Sequence, residues 1–142
     1  MLTGTFDSSS GQPYNVTTGT DNNGDGVFND RPAYAPAPGP GVYATQFGSL
    51  TATGINGGLP RNAGLMPWAV HLDTNLSRTF AVGHRNAAGE TRQTVALTAC
   101  SSNLLNHMNV TGVGGVLGSP SFGLPYAADP GRRVEFEIRY SF

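Results

Sequence analysis

The stretch Asp21-Asn22-Asn23-Gly24-Asp25-Gly26-Val27-Phe28-Asn29-Asp30-Arg31-Pro32 carries the densest set of oxygen ligands in the chain. Asp21, Asn23 and Asp25 are spaced i, i+2, i+4, and Gly26 follows them. Alternating oxygens followed by a glycine that permits a tight bend make up the first half of an EF-hand-type calcium loop. The Val27 carbonyl, Asn29 and Asp30 can add further oxygens. Pro32 stands at the twelfth position, where a bidentate Glu is expected, and no flanking helices are readable. A calcium ion held by Asp21, Asn23, Asp25, Val27, Asn29 and Asp30 would therefore bind weakly, in the roughly millimolar class of extracellular modules. The competing reading is an Asx- and Gly-rich turn whose carboxylates are solvated.

Other reactive residue types lack the spacing that chemistry needs. His71, His84 and His107 are far apart in sequence and read as isolated polar or loop histidines. No Gly-x-Ser-x-Gly nucleophile elbow occurs, and Ser119 beside Pro120 reads as a turn. Glu135 and Glu137 could be taken for a glycosidase pair, but Arg133 and Arg139 share their strand face, so ion pairing explains them better. Gly112-Val113-Gly114-Gly115 lacks the strand-to-helix setting of a phosphate loop. Cys100 is the only cysteine, which excludes an intrachain disulfide and a thiolate metal cluster. These residues give no reason to expect an enzyme.

The elements that must position these residues are strands. In Arg133 to Phe142, every even position is apolar or aromatic and every odd position is charged or hydroxylic. A strand has period two, so Val134, Phe136, Ile138, Tyr140 and Phe142 share one face, and Arg133, Glu135, Glu137, Arg139 and Ser141 share the other. About ten such residues match the length of a tilted membrane-crossing strand. The pattern also fits a soluble antiparallel sheet with one wet face. Three more strands are expected, at 1–7, 70–82 and 91–101. Val70, Leu72, Thr74, Leu76, Phe80 and Val82 alternate with His71, Asp73, Asn75, Ser77 and Thr79. Arg78 interrupts the apolar side, where its head group could snorkel to water near a membrane interface. Val95, Leu97 and Ala99 oppose Thr94, Ala96, Thr98 and Cys100. A short helical turn is expected around Ser102 to His107.

The connections are unequal. Gly83 to Glu90 reads as a hairpin turn, whereas 8–69 and 102–132 are long loops. Long loops are rare in compact soluble domains but usual on the outer side of outer-membrane barrels, whose periplasmic turns are short. With strand four running inward, both long loops fall outside, and Trp68 lies near the outer interface, where indole is favoured.

Composition narrows the class. Charged residues make up only 12% of the 142, which argues against a solvated disordered chain. The formal charge of -1 gives no electrostatic reason to expect nucleic acid. The segment from Met1 to Phe6 has neither a basic region nor an apolar core, so it does not read as a signal peptide. No run of 18 apolar residues occurs, so any membrane crossing must use strands.

Several pieces together resemble the C-terminal part of TonB-dependent outer-membrane receptors, in particular the Oar-like group. They are Ser10-Gly11-Gln12-Pro13-Tyr14, the acidic loop from Asp21 to Pro32, and Arg61-Asn62-Ala63-Gly64 followed by Leu72 to Phe80. Asn103-Leu104-Leu105-Asn106-His107-Met108-Asn109, Gly118 to Gly123 and the closing Arg139-Tyr140-Ser141-Phe142 complete the order. The resemblance implies a barrel of about twenty-two strands filled by a plug and energised through the TonB complex. It also implies that Phe136, Ile138, Tyr140 and Phe142 act as a signal to the barrel assembly machinery.

The expectation is thus an all-β chain of about four antiparallel strands from the C-terminal end of a transmembrane β-barrel in the bacterial outer membrane. It would carry long extracellular loops and no plug domain. Four strands cannot close a barrel, so the chain is expected to be a fragment, inactive alone. Its partners would be outer-membrane lipid and the remaining strands and plug of the receptor. The alternative is a secreted all-β binding module with a calcium-stabilised loop, which must bury the apolar faces that a barrel leaves to lipid.

Overall fold

The computed structural model describes residues 1–54, 57–83, 85, 89 and 93–142. Among these there is no helix. The strands in chain order are β1 (Leu2–Ser9), β2 (Pro13–Tyr14), β3 (Ala33–Tyr34), β4 (Val42–Thr45), β5 (Gly48–Thr51), β6 (Gly64–Leu65), β7 (Ala69–Val82), β8 (Gln93–Ser102), β9 (Val110–Val113), β10 (Pro125–Ala128) and β11 (Arg133–Ser141). They divide into two compact units. The first comprises Met1–Ser9, Ala69–Met108 and Pro130–Phe142; the second comprises Ser10–Trp68 and Asn109–Asp129.

The first unit is a four-stranded sheet of order β1-β7-β8-β11, antiparallel throughout. Its strands follow from the alternation in their sequences. Register keeps like with like: Leu2 pairs with Leu76, Leu76 with Ala99, and Ala99 with Phe136. A slip of one residue would turn every apolar side chain to the polar face, so the pattern specifies the register. Thr91 and most of the expected Gly83 to Glu90 turn lie outside the described residues, among them His84. Among the described residues the barrel is not closed: β1 and β11 each have one edge without a partner strand.

Ser102 to His107 is a turn, not the expected helical one. Asn103 and Asn106 take left-handed backbone angles, with φ of 47° and 53°. Asn tolerates this region because its short polar side chain bonds locally. Asn103 knits the strand ends together. Its N–H donates to Asp73 Oδ1 at 2.9 Å, its Nδ2 donates to the His107 carbonyl at 2.9 Å and the Pro130 carbonyl at 3.3 Å, and its Oδ1 accepts the His107 N–H at 3.0 Å.

The second unit fills the two long connections, which the sequence presents as loops. It contains the pairs β2–β6 and β9–β10 and the three-stranded sheet β3-β5-β4. Its core is Val16, Leu50, Leu59 and Leu117, with Tyr14, Phe47, Ala52, Ala63 and Phe122 packed around them. Leu117 comes from the second connection and the other three from the first. The two segments are stitched by Thr17 N–H to the Gly115 carbonyl at 2.8 Å and Leu117 N–H to the Thr17 carbonyl at 2.8 Å. The Tyr14 ring packs on Gly64, its cross-strand partner; a Cβ there would stand 2.3 Å from the ring.

Candidate functional site

The sheet separates two chemistries by pleat alone. One face carries Leu2 and Phe6 of β1; Val70, Leu72, Leu76, Phe80 and Val82 of β7; Val95, Leu97 and Ala99 of β8; and Val134, Phe136, Ile138 and Tyr140 of β11. None of these side chains is fully buried, and those of β11 are all exposed. Phe136 is 81% exposed, Ile138 76% and Phe142 94%. The Tyr140 and Phe142 rings lie 6.0 Å apart at one end of β11. A soluble protein rarely leaves a contiguous apolar face of this kind to water. Arg78 is the one charged side chain on this face among the described residues, and its guanidinium sits 5.4 Å from the centre of the Phe80 ring. Phe80 lies toward the short-turn end of β7, so the contact leans the cation toward the strand end, as snorkelling requires.

The opposite face is polar. Arg133 pairs with Glu135, and Arg139 Nη2 meets Glu137 Oε1 at 2.9 Å. Both pairs are exposed and lie along one strand, so they leave no acid free to act beside a second one. Asn75 Nδ2 donates to Cys100 Sγ at 3.3 Å across β7 and β8. His71 stands on this face of β7. His107 belongs to the Asn103 turn.

Both long connections leave the sheet from the same strand ends. Ser9 pairs with Ala69 and Ser102 with Arg133, whereas Val82 and Gln93 pair at the other end, with only residues 83–92 between them in the chain. β7, β8 and β11 run 14, 10 and 9 residues, the span of tilted membrane-crossing strands. A sheet that is apolar on one face and polar on the other, with one short connection at one end and long ones at the other, has the construction of an outer-membrane barrel wall.

A family model of the outer membrane beta barrel domain matches residues 1–135. The chain belongs to that family. Its place is therefore the bacterial outer membrane. Neither a curated protein nor a solved structure gives a significant match. The exposed aromatic residues of β11 are part of the bare apolar face of this outer-membrane barrel domain.

The acidic loop belongs to the second unit. Asp21 organises it: Oδ1 accepts the N–H groups of Gly24 at 2.7 Å and Asp25 at 3.2 Å, and Oδ2 accepts that of Gly26 at 2.9 Å. The Gly26 N–H, joined by those of Gly24, Asp25 and Asn23 and opposed by desolvation, holds the Asp21 carboxyl below its ordinary value of 3.8. Asn23 Nδ2 donates to Asp25 Oδ2 at 3.0 Å, and Asp25 Oδ1 accepts the Val27 N–H at 2.8 Å. These are the bonds of an Asx-rich turn. Asp30 is fully buried; its Oδ2 accepts the N–H groups of Asn22 at 2.6 Å and Asn23 at 3.1 Å. Its Oδ1 has no hydrogen-bond partner among the described residues. Val27 and Asn29 are exposed, and Asn29 lines a separate cavity with Arg31 and Arg61. Among the described residues, no group of three or more His, Cys, Asp or Glu side chains is arranged to hold a metal ion.

Sequence reasoning missed the part played by Asn103 in tying Asp73, His107 and Pro130 together. The two asparagines three residues apart after a strand were the available signal, since Asn is the non-glycine residue most at home in left-handed turns.

Proposed function

We propose that this chain supplies wall strands and folded outer loops to a TonB-dependent receptor that takes up a scarce solute across the outer membrane. The observation that carries the reading is the open four-stranded sheet, lipid-ready on one face and ion-paired on the other. Its long connections form a unit with a core of their own. A unit so folded gives a receptor a fixed surface on which to capture a solute. The TonB part of the reading is supported by the ordered set of segments that resemble Oar-like receptors, from Ser10-Gly11-Gln12-Pro13-Tyr14 to Arg139-Tyr140-Ser141-Phe142.

The free edges of β1 and β11 require partners, because unpaired backbone groups are not tolerated in lipid. Further strands of the same receptor fill them in this proposal, and the chain is a segment of that barrel, inactive alone. Phe136, Ile138, Tyr140 and Phe142 present the alternating face that the assembly machinery would engage. Calcium in the acidic loop remains part of the proposal as a weak, roughly millimolar site.

The test is genetic. A strain lacking the gene that carries this segment, and a strain lacking TonB, are grown on a panel of limiting nutrients. A shared growth defect on at least one nutrient, with no further loss in the double mutant, is expected. A nutrient on which the first strain fails to grow while the strain lacking TonB grows normally would sink the uptake reading.

A further inference from the structure

We infer that Asn15, Thr17, Asn29, Arg31 and Arg61 form an oxyanion pocket, which takes one carboxylate or phosphate group of a small anionic solute. These residues line a cavity of about 160 Å³ within the second unit. Two arginines are among its lining residues and no acidic residue is. Asp30, the neighbour of Arg31, is buried, and its carboxylate is turned to the N–H groups of Asn22 and Asn23 instead.

The donors are held in place by contacts made outside the cavity. Arg31 is half-buried, and its Nη1 donates to the Leu59 carbonyl at 2.9 Å, which fixes the fork. Asn15 Oδ1 accepts the Asn62 N–H at 2.7 Å, so the amide has its NH₂ donors left to offer. The Thr17 backbone is pinned on both sides by the bridge to Gly115 and Leu117. Arg61 is exposed and makes no hydrogen bond or ion pair to a described residue, so its guanidinium is free to close on a ligand.

Size and charge decide the ligand class. The cavity is smaller than the roughly 300–1,000 Å³ of sites that enclose a drug-sized molecule, so it accommodates one anionic group, not a whole large solute. Planar guanidinium forks match carboxylate and phosphate oxygens in paired hydrogen bonds. Carboxamide and hydroxyl donors complete a site with donors in excess. A binding step of this kind rests on the uptake proposal for its purpose, but not for its existence.

The test uses the intact outer-membrane protein, extracted in an uncharged maltoside detergent and free of phosphate. Calorimetric titrations with inorganic phosphate and with succinate, at matched ionic strength, read the pocket directly. Saturable binding of at least one is expected, weakened about tenfold or more by Arg61→Gln and partly restored by Arg61→Lys. Thr17→Val, which keeps the charge and removes a donor, should weaken it several-fold. Preference for phosphate would assign a phosphorylated ligand, with a lipid-phosphate arm separating headgroup from free ion; preference for succinate would assign a carboxylate. Absence of saturable binding at millimolar concentration, or equal binding by wild type and Arg61→Gln, overturns the inference. Loss of TonB leaves this titration unchanged, so failure of the uptake proposal and failure of the pocket are read separately.

Discussion

The four-stranded sheet and the stitched loops solve opposite problems with one chain. In the sheet, large apolar side chains such as Phe136 and Ile138 point outward uncovered, and charge pairs lie on the other face. In the loop unit, Val16, Leu50, Leu59 and Leu117 are buried, and the polar residues of the acidic loop are mostly outside. The contrast matches the surroundings proposed for each part, lipid for the sheet and water for the loop unit. A lipid-facing sheet needs no core of its own, since acyl chains replace one; loops meeting water must bury their apolar groups or remain unfolded.

Removing core volume should separate the two parts most sharply. Leu50→Ala is expected to cost the loop unit about 2–5 kcal/mol, because the cavity left by a fully buried leucine collapses only partly. Limited proteolysis should then cut within residues 10–68 while the sheet stays protected. Equal loss of protection in the strands would mean that the units are not independent.

A charge on the bare face should do the reverse. Ile138→Arg is expected to cost about 2–4 kcal/mol of folding into a bilayer near its midplane, whereas Glu137→Gln, one residue away on the polar face, should cost under about 1 kcal/mol. Denaturant titration of the intact protein in lipid vesicles measures both. Similar effects of the two substitutions would contradict the assignment of faces.

Asp30 offers a smaller and more pointed test. Asp30→Ala removes the buried acceptor of the Asn22 and Asn23 N–H groups and should destabilise the loop unit by about 1–3 kcal/mol. Asp30→Asn keeps an acceptor and removes a buried charge, so it should be close to neutral. Thermal melts of the two variants check the difference, and an equally damaging Asn variant would show that more than the hydrogen-bond acceptor is needed there.

The smallest effect concerns pH. The folded Asp21 carboxyl lies below its ordinary 3.8, so its contribution to loop order is fully present above that value and is lost as pH falls through the lower, folded one. Amide exchange at Gly24 and Gly26 should accelerate on acidification, and Asp21→Ala should abolish the pH dependence. Unchanged exchange in that variant would remove Asp21 as the organiser of the turn.

Alternation was legible directly. Period two in Arg133 to Phe142 and in Val70 to Val82 determined which side chains share a face, because a pleated backbone allows no other arrangement. Unequal spacing between strands and the resemblance of ordered segments were enough to indicate an outer-membrane barrel. The spacing suggests a helical turn at Asn103, whereas its left-handed backbone depends on partners at Asp73 and Pro130, which lie 30 and 27 residues away in the chain.

What tertiary structure alone decided lies in the long connections. Nothing local in Thr17 announces that it will bridge to Gly115 and Leu117, nearly a hundred residues away. The burial of Asp30 and the meeting of Arg31 and Arg61 around one cavity follow from that stitching. Strand faces are set by backbone geometry repeating over neighbouring residues, so the sequence determines them by itself. Cores and pockets assembled from distant loops are set by which apolar groups can exclude water together, and only the folded chain brings those groups within reach.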